Sequence, residues 1–226
     1  MPVGISDTFR RMNIKNYTDI LWDFNGTVLD DVDAGIISVN TLLERRGLKT
    51  LESRDDYYKV FGFPIVEYYK RLGFDLEKED YKTEVAPEWV KEYIENSKSS
   101  GLRQGVGELL AFFKESGLRQ TVISASESKM LERQLKELGV RAYFDEIYGL
   151  DNIHAAGKNS LGLFWRQNNP NAKALFLGDT VHDAEVADGI HADCILIEGG
   201  HSSPEELKST GHVTARDFFE VLNLIK

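Results

Sequence analysis

The chain has 226 residues, long enough for one core domain carrying a smaller insertion. Its 27 basic side chains against 37 acidic ones leave a formal charge of -10, so no net positive field draws it to nucleic acid or to an anionic membrane surface. Cys194 is the single cysteine, which excludes an internal disulfide; the opening residues lack the apolar stretch of a signal peptide, and no run reaches the length of a membrane span, so a cytoplasmic location is the expectation.

In chain order, a buried strand is expected first at Ile20-Leu21-Trp22, a short apolar run that stops at Asp23. From residue 33 to residue 100 the signal is helical throughout. Ile36, Val39 and Leu43 form a stripe that ends at Gly47, and Ile65, Tyr69 and Leu72 form another that ends at Gly73. Pro87 then opens a segment in which Trp89 pairs with Tyr93 and Val90 with Ile94 at i, i+4. Its polar borders, LDDVDAG before it and SKSSGLRQG after it, read as hinges. Strands are expected again at Thr121-Val122-Ile123, Ala174 to Leu177 and Cys194 to Ile197. Between and after them lie helices carrying Val106, Leu109, Leu110 and Phe113, then Leu131, Leu135 and Leu138, and finally Phe218, Val221, Leu222 and Ile225. Alternating strand and helix predicts an α/β fold, a doubly wound parallel sheet, from residues 1–32 and 101–226, with residues 33–100 as an all-helical insertion after the first strand.

In open parallel sheets ligands sit beyond the carboxyl ends of the strands. The polar residues at those ends are Asp23, Ser124 and Gly178-Asp179, with Asp183 one helical turn further on and Lys158 ahead of an expected helix. Carboxylates, a hydroxyl and a lysine converging in this way suit a magnesium ion and a phosphoryl group, since Mg2+ takes a few carboxylate oxygens and a lysine neutralises phosphate as a point charge. Histidines in the same regions, His182 and His154, are candidate proton carriers, and Lys59, Lys70 and Arg71 are candidates for gripping a second anionic group.

The segment WDFNGTVLDD resembles the first motif of the haloacid dehalogenase-like superfamily, and VISAS, AAGK and LFLGDTVHD are similar to its second, third and fourth, in the same order along nearly the whole chain. The helical insertion resembles the cap of the phosphoglycolate phosphatase and beta-phosphoglucomutase branch, with Phe61-Gly62-Phe63-Pro64 placed like a loop that dips into the site. That resemblance implies a phosphatase for small phosphorylated metabolites. Asp23 would be the nucleophile that forms an aspartyl phosphate, and Asp23, the backbone carbonyl of Asn25, Asp179 and Asp183 would hold Mg2+. Ser124 and the Ala125 N–H would bind phosphate oxygens, with Lys158 bridging Asp23 and the phosphate.

One position departs from the pattern. Phosphatases of the superfamily carry a second aspartate two residues after the nucleophile, and here that position is Asn25. An amide neither protonates the leaving oxygen nor takes a proton from water, and loss of such assistance costs on the order of 100- to 10,000-fold. Slow turnover is therefore expected, with acceleration when a carboxylate is restored at residue 25. A mutase or carbon–phosphorus hydrolase of the same superfamily and a non-catalytic phosphate-binding module stand as alternative readings.

Overall fold

The computed structural model describes residues 12–150 and 157–226. Six parallel strands form one sheet in the order β3-β2-β1-β4-β5-β6: β1 (Asp19–Trp22), β2 (Arg119–Glu127), β3 (Glu146–Leu150), β4 (Ala174–Gly178), β5 (Asp193–Ile197) and β6 (Val213–Ala215). The four strands expected from apolar runs are present. The two further strands lie at the sheet edges, where β3 is half-buried and β6 has only 3 residues, so neither shows an uninterrupted apolar run. The direction in which successive strands are added to the sheet reverses between β1 and β4, with Trp22 beside Val122 on one side and Leu177 on the other. Such a reversal opens a crevice at the strand ends, where Asp23 and Asp179 follow their strands.

Alternation along each strand feeds two cores. Ile20, Trp22, Val122, Leu175 and Ile195 pack on one face against α5 (Val106–Glu115), α6 (Ser128–Glu137) and α10 (Phe218–Ile225). Leu21, Ile123, Phe176 and Leu196 pack on the other against α7 (Lys158–Asn168), α8 (Val181–Gly189) and α9 (Pro204–Ser209). Among the described residues no helix is long and apolar enough to cross a membrane.

Between β1 and β2 the described chain adds helices and no strand: α1 (Val32–Arg45), α2 (Arg54–Val60), α3 (Ile65–Arg71), a π-helical turn (Tyr81–Val85) and α4 (Ala86–Asn96). Val39, Leu42, Leu43, Tyr57, Tyr68, Tyr69 and Phe74 give this part a core of its own. The two connections run side by side, since Asp30 N–H donates to the Gly101 carbonyl (2.9 Å) and Arg103 N–H to that of Val28 (3.0 Å). The incoming connection is not simply a solvated hinge, because Asp31 within it is buried.

Candidate active site

Asp23 leaves β1 with its N–H donating to the Leu177 carbonyl of β4 (2.9 Å), which points the next backbone turn over the switch point. In that turn Gly26 has φ of +75°, and a Cβ there would collide with the Asp179 carboxylate and the His201 ring. Gly200, after β5, is equally restricted: a Cβ would overlap the Asp179 side chain. Close backbone approach from two sides thus confines Asp179, whose carboxylate accepts from Thr27 Oγ1 (2.7 Å) and the His201 N–H (2.6 Å).

Lys158, at the start of α7 and buried, donates to both Asp23 and Asp183. Asp183 is held from the other side by a capping box at the start of α8, where its Oδ2 accepts from Thr180 N–H (2.9 Å) and Oγ1 (2.7 Å). The carboxylate oxygens of Asp23, Asp179 and Asp183 come within 4.8 Å of one another, all three buried. Burial raises the pKa of Asp23 well above the usual range; Lys158 opposes this and the charges of Asp183 and Asp179 add to it. Burial also raises Asp179, with His201 opposing and Asp183 adding. For Asp183 burial is outweighed by Lys158 and the Thr180 hydrogen bonds, so its pKa falls. Lys158 resists burial in the same way, held charged by Asp183 and Asp23. Three buried carboxylates facing one ammonium form a donor set that fits a hard divalent cation.

The other sequence candidates divide. Ser124 is buried on β2, next to β1, with its Oγ accepting from the Ser126 N–H (3.1 Å), while Ala125 is exposed. Ser126 does not cap α6; Glu127 does, accepting from the Met130 N–H (2.9 Å). Lys59 and Lys70 are spent on surface pairs with Asp56 and Glu67, and Arg71 donates to the Val60 carbonyl (2.6 Å). His182 pairs with Glu185 (2.9 Å) and lies against the Phe63 ring, centroids 4.8 Å apart, so the Phe61–Pro64 loop does reach the fourth motif. His154 lies outside the described residues.

Sequence reasoning missed a polar network beside this cluster. Asn25 Nδ2 donates to Asp31 Oδ2 (2.8 Å) and to the Tyr93 hydroxyl (2.7 Å), and its Oδ1 accepts from Ser126 Oγ (2.7 Å). Tyr93 in turn donates to Asp31 Oδ2 (2.5 Å), while Asp31 Oδ1 accepts from the Gly26 N–H (2.7 Å) and lies 3.4 Å from His201 Nε2. The His201 Nδ1 meets the Tyr57 hydroxyl at 2.8 Å. His201 follows the β5 run, so the strand-end rule that found Asp23 and Asp179 applies to it as well. Nothing local marks Asp31 or Tyr93: Tyr93 lies 62 residues from Asp31 and 68 from Asn25.

A doubly wound sheet with an acid cluster and a buried lysine at its switch point is an arrangement that suits a divalent cation and a phosphoryl group. Residues 20–197 match the profile of the haloacid dehalogenase-like hydrolase family, and the chain belongs to it as a phosphatase-type enzyme. It is 25% identical to a phosphoglycolate phosphatase of Nitrosococcus oceani, covering 94% of this chain and 98% of that one. It is 26% identical to a protein of Caldanaerobacter subterraneus named putative pyrophosphatase PpaX, covering 92% and 94%. The solved structure of the Mycobacterium tuberculosis protein tyrosine kinase A superposes with a TM-score of 0.76 at 19% identity, over 92% of this chain and 97% of that one, a likeness of fold alone.

Proposed function

We propose that the chain is a Mg2+-dependent phosphatase for a small phosphorylated metabolite, working through an aspartyl phosphate on Asp23. The observation that carries this reading is the buried cluster of Asp23, Asp179 and Asp183 around Lys158 at the switch point. Residues 1–32 and 101–226 act as the catalytic core, and residues 33–100 as a cap that excludes water and selects the substrate.

In the first half-reaction an Asp23 oxygen attacks phosphorus, the bond from phosphorus to the ester oxygen breaks, and the leaving oxygen keeps the electron pair. In the second, water attacks phosphorus, phosphate departs and the Asp23 carboxylate is regenerated. Lys158 holds the Asp23 carboxylate in place and faces the phosphoryl oxygens, while Ser124 and the Ala125 N–H take the remaining oxygens. Asp23, the Asn25 carbonyl, Asp179 and Asp183 would hold Mg2+, which would supply charge that keeps Asp23 ionised and offsets the phosphoryl group. The relatives' names direct the substrate search to small phosphate esters such as phosphoglycolate and to pyrophosphate.

The test is a screen of phosphorylated metabolites with Mg2+ and with chelator, on the parent and on Asp23→Asn. Metal-dependent phosphate release that falls on the order of 1,000-fold or more in Asp23→Asn is expected. Release unaffected by chelator or by Asp23→Asn sinks the reading, and ligand-induced thermal stabilisation with no turnover points to a phosphate-binding module instead.

A further inference from the structure

The lost acid at residue 25 and the network around Asp31 are one arrangement. Asn25 and Asp31 touch through their side chains, and Asp31 is 1% exposed. The Asn25 amide group is fully used: both donor contacts go to Asp31 and Tyr93, and its oxygen accepts from Ser126. A carboxylate at residue 25 would set an oxygen where Nδ2 now lies, 2.8 Å from Asp31 Oδ2, with the single O–H of Tyr93, already given to Asp31, as the donor within reach of both. Two ionised carboxylates that close and out of water repel strongly. The pair therefore accommodates one carboxylate and one amide.

We propose that Asn25 and Asp31 are an exchanged pair, in which the negative charge has moved from the position beside the nucleophile to residue 31. Asn25 acts as a positioning residue that ties Ser126 of β2 and Tyr93 of α4 to the nucleophile's turn. The enzymatic half of this proposal rests on the phosphatase reading above; the pairing itself does not. Restoring aspartate at residue 25 alone does not restore an acid, because it adds a second buried carboxylate. Moving both groups does. With aspartate at 25 and asparagine at 31, the asparagine oxygen still accepts from the Gly26 N–H. Its amide donates to the aspartate, which accepts from Ser126 as Asn25 does now and from the Tyr93 hydroxyl, whose O–H turns from residue 31 to residue 25. Asp31→Asn alone instead sets two amide NH2 groups against each other, so both single variants are expected to be worse than both the parent and the double exchange.

The experiment is a double-mutant cycle over Asn25→Asp, Asp31→Asn and their combination, with Asn25→Ala as a control that removes the amide without adding charge. Thermal midpoints are read in chelator at neutral pH, so the first readout needs no metal and no activity. Each single exchange is expected to lower the midpoint by about 5 °C or more, Asn25→Ala by less than Asn25→Asp, and the double variant, which regains the contact between residues 25 and 31 but not the Asp31–His201 charge contact, to lie above both single variants. Additive losses, or an Asn25→Ala variant as damaged as Asn25→Asp, overturn the pairing. With Mg2+, alkyl phosphate hydrolysis by the double variant is expected to exceed the parent on the order of 100-fold in kcat with KM little changed, and Asn25→Asp alone to show no gain. A double variant that is stable but no faster than an active parent, or a faster Asn25→Asp single variant, overturns the exchange of the acid. Absence of turnover in every variant, the parent included, overturns the phosphatase reading, while the midpoints still decide the pairing.

Discussion

The sheet and the helical insertion are built on different side chains, and the difference separates where chemistry is fixed from where it is covered. Around the sheet the buried set is aliphatic with a few large rings, such as Trp22 and Trp165, and the charged groups emerge only at strand ends. Groups mounted there inherit the rigidity of a close-packed layer on both faces. The insertion's interior is rich in tyrosine, with Tyr57, Tyr68 and Tyr69 beside Val39, Leu42 and Leu43, and its helices are laced outside by Arg46 to Glu79 and Glu88. Tyr57 and Tyr93 turn their hydroxyls to His201 and Asp31 at the foot of the sheet. Contact between the two regions includes hydrogen bonds and ring contacts such as Phe61 tilted over His201, at 5.4 Å between centroids. A junction of that kind opens at less cost than a purely apolar core.

The largest break in the comparison comes from the core. Lys158→Met removes the ammonium that pairs with both Asp23 and Asp183, and loss of one partner of a buried pair typically costs about 3–5 kcal/mol. Chelated Lys158→Met protein is expected to lose that much stability by denaturant titration and to regain part of it in Mg2+, together with loss of phosphate release. Full stability in chelator would mean that the cluster is balanced in some other way. Next in size, Leu177→Ala in the sheet and Leu42→Ala in the insertion, both fully buried, are each expected to cost about 2–5 kcal/mol. Hydrogen exchange distinguishes them: Leu42→Ala should lose protection in α1 and α4 while the strands keep theirs, whereas Leu177→Ala should lower both. Equal loss everywhere in both variants would show one cooperative unit instead of two.

How much of this was legible in the sequence follows the same division. The four inner strands and the positions of Asp23, Asp179, Asp183 and Lys158 could be read because a buried parallel strand is a continuous apolar run and its end is a fixed address. β3 escaped because Glu146, Tyr148 and Gly149 break its apolar pattern at a sheet edge. Asp31 was read as part of a hinge, since its neighbours are acidic and polar; its burial depends on Tyr93, which sequence placed only as a stripe residue beside Trp89. His201 follows a strand, but its role depends on two partners distant in sequence, Asp31 from the connection after β1 and Tyr57 from the insertion, which the tertiary fold brings to it. From the motif alone a carboxylate at residue 25 is expected to speed turnover; under the proposed pairing with Asp31 the gain requires both exchanges.

The smallest expected effect tests the junction itself. Tyr57→Phe keeps the ring stacked on Phe61, 4.8 Å between centroids, and removes only the hydroxyl that meets His201 Nδ1. The loss should be about 1 kcal/mol, the net worth of one hydrogen bond. His201 is buried, which disfavours its charge, but the hydrogen bond and charge of Asp31, with Asp179 and Asp23 adding, push its pKa up to about 9. Folded His201 therefore keeps its proton to a higher pH than the unfolded chain does, about 6.5. The stabilisation it brings is complete below about 6.5 and is lost as pH rises through about 9. In chelator, midpoints recorded from pH 6 to pH 10 should fall across that window in the parent. They should fall just as steeply from a slightly lower start in Tyr57→Phe, because Asp31, which sets the shift, is untouched. Asp31→Asn should flatten the slope. A parent whose stability is level across the window, or an Asp31→Asn variant with the parent's slope, would show that the Asp31–His201 contact does not hold the connection after β1 to the sheet through charge.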